Sequence, residues 1–204
     1  LDSLDSSSNS VQLRGSEFVS PQVGEELTEQ GGLAMIFALI LIMIYIMARF
    51  QWKFSIGAVI ALVHDVLITL GIFSIFQLSF DLAVLAAILA VVGYSLNDTI
   101  VIFDRIRENF RAMRITETID ILNSSITQTI SRTIITSGTT LFVLSALYLI
   151  GGKSLEGFSV ALIIGVLIGT YSSIFVASIT VLYLNVSTTD LIVTKKEEVD
   201  DGMP

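Results

Sequence analysis

The chain has 204 residues, 53% of them hydrophobic, and a mean hydropathy of +0.82, more than a soluble domain of this length needs for its core. It has no cysteine and a single histidine, His64, which excludes disulfide frameworks and thiolate metal sites and disfavours a histidine-based metal centre. The formal charge is −8, with acids crowded at both ends and Lys and Arg gathered in particular connections, a pattern that fits a membrane protein and argues against nucleic acid as a partner.

Residues 1–32 are polar and acidic, with Asp2, Asp5, Glu17, Glu25, Glu26 and Glu29 against Arg14 alone. Alternation through Val11-Gln12-Leu13 and Glu17-Phe18-Val19, broken by Gly15 and Pro21, predicts one or two short strands. Two strands cannot bury a core alone, so 1–32 is expected to be the end of a larger extracytoplasmic domain, present here as a β remnant. Neither a basic n-region nor an apolar h-region follows Leu1, so no signal peptide is expected and the chain reads as a fragment.

Five apolar runs follow, at about 31–48, 54–76, 80–103, 133–150 and 156–184, each near the roughly 20 residues that a helix needs to cross a bilayer. They predict an all-α, polytopic bundle of five transmembrane helices over 33–184, followed by a cytoplasmic tail, 185–204. Arg49 and Lys53 lie between the first and second runs, Arg105, Arg107, Arg111, Arg114 and Arg132 between the third and fourth, and Lys195 and Lys196 in the tail. Nine of the eleven basic residues thus fall on one side, which the positive-inside rule makes the cytoplasm, with 1–32 outside. Phe50, Trp52 and Phe54 are expected to form an aromatic belt at that face. Between 104 and 132, Ile106, Phe110, Met113, Ile119, Leu122, Ile126 and Ile130 recur at steps of three and four. That spacing predicts amphipathic helices lying on the membrane surface, their arginines against anionic lipid.

Asp65 and Asp98 are the two carboxylates inside these runs. A charge there costs roughly 2.5–3.5 kcal/mol on insertion scales and marks a functional site by default. Desolvation favours the protonated carboxyl, so such a group can take up and release a proton near neutral pH. The competing expectation is a hydrogen-bonded side chain that only joins helices. Arg132 opens the fourth run, and Thr136 and Thr140 follow at steps of four on the same face. Near Asp98, a cation that never loses its charge would hold the carboxyl ionised until something separated them, which describes a switch. His64 points about 100° away from Asp65 around the helix and is a weaker relay candidate. Gly57 with Ala61, Ala86 with Ala90, and Gly165 with Gly169 let backbones approach closely, and packing within the chain outweighs dimerisation as their meaning. Ser137-Gly138-Thr139 is expected to loosen the fourth helix.

The stretches GYSLNDTIVIFDRIRENFR (93–111), SITQTISRTIITSGTT (125–140), ALVHDVLITLGI (61–72), LEGFS (155–159) and EFVSPQVGEEL (17–27) resemble the SecF family of protein-export membrane proteins. The resemblance runs from about Val11 to Leu184. It implies half of a resistance–nodulation–division-type transporter, here without its first span and most of its periplasmic domain. It implies a bacterial inner-membrane subunit that uses the proton-motive force late in polypeptide translocation, with protons as coupling ion and no cofactor. The implied partners are a SecD-like subunit, the SecYEG channel, the translocating unfolded polypeptide and lipid, with YajC and YidC as further candidates. By position, Asp98 matches the family's intramembrane aspartate associated with proton passage and Arg132 the arginine that acts with it. Thr136 lies beside them, and Asp65 falls in a His-Asp pair of unassigned role. A passive scaffold subunit and half of a proton-driven small-molecule or lipid exporter are the alternatives. An intramembrane aspartyl protease is disfavoured, because neither aspartate sits in a YD or GxGD context.

Overall fold

The computed structural model describes residues 21–113 and 117–186, and everything regular in them is helical. The strand expected over 11–19 lies outside the described residues, as does most of the tail. Helix α1 (Pro21–Arg49) turns sharply into α2 (Trp52–Ile75); α3 (Leu82–Ala112) and α4 (Thr118–Ile150) follow, then α5 (Lys153–Ile174) and α6 (Val176–Tyr183). Five helical stretches are long and apolar enough to cross a membrane, the last being α5 and α6 together. This is a membrane protein, with five spans among the described residues.

Helix α1 starts ten residues before its apolar run, because a helix once nucleated extends through polar residues at little cost; Gln30 Nε2 donates to Glu26 Oε1 at 2.8 Å one turn back. The Asp81 side chain caps α3, accepting from the Val84 amide at 2.8 Å. Gly152, at φ +72, caps α5 in a conformation that only glycine adopts without strain.

Helices α3 and α4 have 31 and 33 residues, about 46 and 50 Å at 1.5 Å per residue, longer than a bilayer core of about 30 Å. The amphipathic pattern of 104–132 is therefore carried by continuations of α3 and α4, and not by separate surface helices. Of its apolar positions, Ile106, Phe110 and Leu122 are buried in one cluster with Ile121, Phe50, Phe54 and Phe103, while Ile119 and Ile130 are exposed; of the expected aromatic belt only Trp52 is exposed. Phe54 and Phe103 meet edge to face, with ring centroids 5.0 Å apart. The fifth apolar run, expected as one helix over 156–184, is interrupted at Phe175. Just before the break, Thr170 Oγ1 donates to the Val166 carbonyl at 2.6 Å and Ser173 Oγ to the Thr170 carbonyl at 3.1 Å; such back-bonding bends helices.

Helix α5 sits at the centre, packed on α3, α4 and α2, while α1 leans mainly on α2. Close approach of α3 and α5 depends on glycine. A Cβ at Gly165 would collide with Val91, and one at Gly169 would lie 3.0 Å from Ser95 Cβ. The 165/169 pair thus packs inside the chain, as its sequence predicts.

Candidate functional site

Two hydrogen bonds fix how α3 and α4 pass each other. Near one end the Tyr94 hydroxyl donates to Thr140 Oγ1 at 3.2 Å; near the other Asn109 Nδ2 donates to Ser125 Oγ at 2.8 Å. The helices are antiparallel, and these pairs are separated by fifteen residues on each (94 to 109, 125 to 140), so the register holds throughout. Asp98, four residues after Tyr94, consequently lies at the level of Thr136 and Ser137, four and three before Thr140.

Asp98 is 3% exposed, and its Oδ2 is buried with no hydrogen-bond partner among the described residues. Arg132 is near enough for its charge to act on the carboxyl, and the Ser137 hydroxyl faces it. Arg132 itself is exposed, so its guanidinium keeps access to the surroundings while its field reaches inward. Ser137 Oγ also lies 2.7 Å from Thr170 Oγ1 on α5. Each hydroxyl has one proton. If Thr170 gives its own to the Val166 carbonyl, Ser137 must donate to Thr170; if Thr170 turns to Ser137, the Ser137 proton is released toward Asp98. The Thr136 hydroxyl donates to backbone carbonyls of its own helix, Arg132 and Thr133, both at 3.0 Å. It keeps only acceptor capacity toward α3.

Asp65 occupies a second polar centre, on α2. It is fully buried; its Oδ2 accepts from Ser95 Oγ at 2.5 Å, and its Oδ1 lies 3.1 Å from His64 Nδ1. His64 and Asp65 thus meet although their Cβ directions diverge. Two long side chains on adjacent residues can close a 100° separation where one of them, here His64 at 31% side-chain exposure, has room to swing. Ser95 precedes Asp98 by three residues on α3, so one helical turn separates the two centres.

The expected residues therefore divide. Asp98 and Arg132 come together between α3 and α4, with Thr136 level with them but bonded to its own helix; Asp65 meets His64 on α2 and Ser95 on α3. Sequence reasoning missed Ser137, Thr170, Ser95 and Thr133, all buried or half-buried hydroxyls. One signal was available: Ser125, Thr129, Thr133 and Ser137 recur at steps of four, a hydroxyl stripe on the buried face of α4.

A family model described as "Protein export membrane protein SecD/SecF, C-terminal" matches residues 2–187. A protein translocase subunit SecF of Vibrio alginolyticus is 55% identical over 203 residues, covering 98% of this chain and 64% of that protein. Its counterpart in Escherichia coli O157:H7 is 48% identical over 200 residues, 98% of this chain and 62% of that protein. The chain thus spans somewhat under two thirds of the length of these relatives. Among solved structures, that of SecDF from Thermus thermophilus, titled a translocon-associated membrane protein, is 43% identical with a TM-score of 0.76 and covers 81% of this chain and 23% of that one.

Proposed function

The chain belongs to the SecD/SecF family of protein-export membrane proteins, and on that premise we propose that it is the membrane part of a SecF-type subunit that couples proton entry to late steps of polypeptide export. One observation carries this reading: a carboxyl between two membrane helices has an oxygen without a hydrogen-bond partner among the described residues and lies within the field of an arginine on the neighbouring helix. Ionised Asp98 holds α4 through Arg132. A proton arriving from outside neutralises it, the attraction lapses, α3 and α4 shift, and release to the cytoplasm resets them. One charge crossing the membrane potential supplies about 2.3 kcal/mol per 100 mV, so a few protons suffice to bias a domain motion.

The positive-inside distribution supports placing the Arg105 to Arg132 end of the bundle at the cytoplasmic face of the inner membrane, with the start of α1 outside. Partners in this reading are a SecD-like subunit, the SecYEG channel and the unfolded polypeptide, with YajC and YidC beside them. Asp65 and His64 stand next to the proton route, not on it, because both Asp65 oxygens already have partners.

The test is Asp98→Asn in the full-length subunit, with export of a secreted reporter measured in cells. Export is expected to fall to the level seen without the subunit while the complex still assembles. Normal export by an assembled Asp98→Asn complex would leave the passive-scaffold reading in its place.

A further inference from the structure

Helices α3 and α5 run parallel, and their contacts repeat with an offset of 73 residues at the first and 74 at the next two. A Cβ at Gly157 would touch Val84, one at Gly165 would meet Val91, and one at Gly169 would meet Ser95. Seven residues on from Gly165 is Ser172, and seven on from Val91 is Asp98. Seven residues are nearly two full turns, so a heptad step returns to the same face on both helices. The register therefore sets Ser172 against Asp98. A separate route agrees on the level: Ser137, which faces Asp98 from α4, touches Thr170, about half a turn before Ser172.

Ser172 is fully buried, and its Oγ, like Asp98 Oδ2, has no hydrogen-bond partner among the described residues. Thr133, one turn from Ser137 on the same face of α4 and 1% exposed, has a third such atom in Oγ1. Buried polar atoms rarely stay unpaired, and one internal water typically makes about three hydrogen bonds to groups of this kind. Three helices thus bring three oxygens, unpaired among the described residues, to within about one helical turn of one another.

We propose that Asp98, Ser172 and Thr133 enclose an internal water-binding site at the crossing of α3, α4 and α5, with Ser172 the residue that orients the water on Asp98 Oδ2. This rests on the proton-coupled reading above and gives it a last step of delivery. The water passes one proton to the carboxylate and regains one from the water beyond it, while the Ser172 hydroxyl holds the water's oxygen in place and exchanges no net proton. Ser172 is thus a positioning residue.

The experiment is infrared difference spectroscopy of the full-length subunit in membranes, acid minus alkaline, in H2O and D2O. The carbonyl band of protonated Asp98 is identified by its loss in Asp98→Asn. Ser172→Ala is expected to move that band to higher frequency, toward a carboxyl without a hydrogen bond. Thr133→Val, which conserves shape, is expected to move it in the same direction, and serves alone if Ser172→Ala does not assemble; Ser145→Ala, on the exposed face of α4, should leave it in place. A band present but unmoved by both substitutions overturns the water site and leaves the proton-coupled reading standing. No Asp98 band anywhere between the two pH values overturns that reading, and the water site with it.

Discussion

Asp65 and Asp98 are both carboxylates buried among membrane helices, a turn apart in level, yet their surroundings differ in kind. Asp65 is closed in: one oxygen holds Ser95 on the next helix, the other His64, and the Gly169 backbone seals the contact from α5. Asp98 has a cation's field on one side and, on the other, an oxygen that no group among the described residues partners. A satisfied buried polar group fixes helices in one arrangement, whereas an unsatisfied one beside a charge favours whichever arrangement matches its protonation. The first is therefore expected to behave as structure and the second as machinery.

Replacing each in turn separates them most sharply. Asp98→Asn should abolish export with little change in the thermal unfolding of the purified protein, because among the described residues no hydrogen bond from a protein group to Oδ2 is lost. Asp65→Ala should do the reverse. It strands the buried Ser95 hydroxyl and the half-buried His64, and an unsatisfied buried group costs about 1–3 kcal/mol. A lower melting temperature in detergent is expected, with export per folded molecule preserved. Loss of export at full stability in Asp65→Ala would erase the distinction and return Asp65 and His64 to the proton route.

Next in size is Gly165→Ala. Its methyl lands on Val91, and overpacking of this kind costs about 1–3 kcal/mol. The forced separation of α3 and α5 also draws Ser172 away from Asp98, so export should fall together with the melting temperature. Gly93→Ala, where an added methyl meets nothing within 4 Å, is the matched control on α3. Equal behaviour of the two variants would mean that the 165/169 pair does not set the register on which the Asp98 surroundings depend.

How far the molecule can be read from its sequence follows the same division. The spans stand out because some twenty consecutive apolar residues have no other use, and Asp98 and Arg132 stand out because a charge in lipid is costly. The residues that complete the site are serines and threonines, which do not. A hydroxyl in a membrane helix usually bonds its own backbone, as Thr136 does, so residue type cannot tell it from Ser137, which meets Thr170 on another helix. Only the register, set by Val91 on Gly165 and by Tyr94 on Thr140, makes that distinction. Residues 104–132 are ambiguous for a related reason: Ile106 and Phe110 recur at the same helical spacing whether their stripe meets lipid headgroups or Ile121 and Leu122. In His64-Asp65 the angular rule holds for Cβ directions and says nothing about side-chain reach.

The smallest effect, and the finest test of the contrast, is expected from Ser95. Its hydroxyl reaches Asp65 from α3, and the same α3 face continues through Thr99, whose own hydroxyl turns back to the Ser95 carbonyl at 3.1 Å. Ser95→Ala removes one interhelical hydrogen bond and leaves His64 on the other carboxyl oxygen, so Asp65 is weakened but not stranded. Interhelical hydrogen bonds of this kind measure about 0.6 kcal/mol on average and up to about 1.7. A double-mutant cycle with Asp65→Ala, which removes the acceptor, read by unfolding in detergent, should return a coupling within that range. Coupling is favoured toward its upper end by full burial at both residues. A coupling indistinguishable from zero would mean that Ser95 does not hold Asp65. The second carboxylate would then be as poorly anchored as the first, and the assignment of structure to one and switching to the other would lose its physical basis.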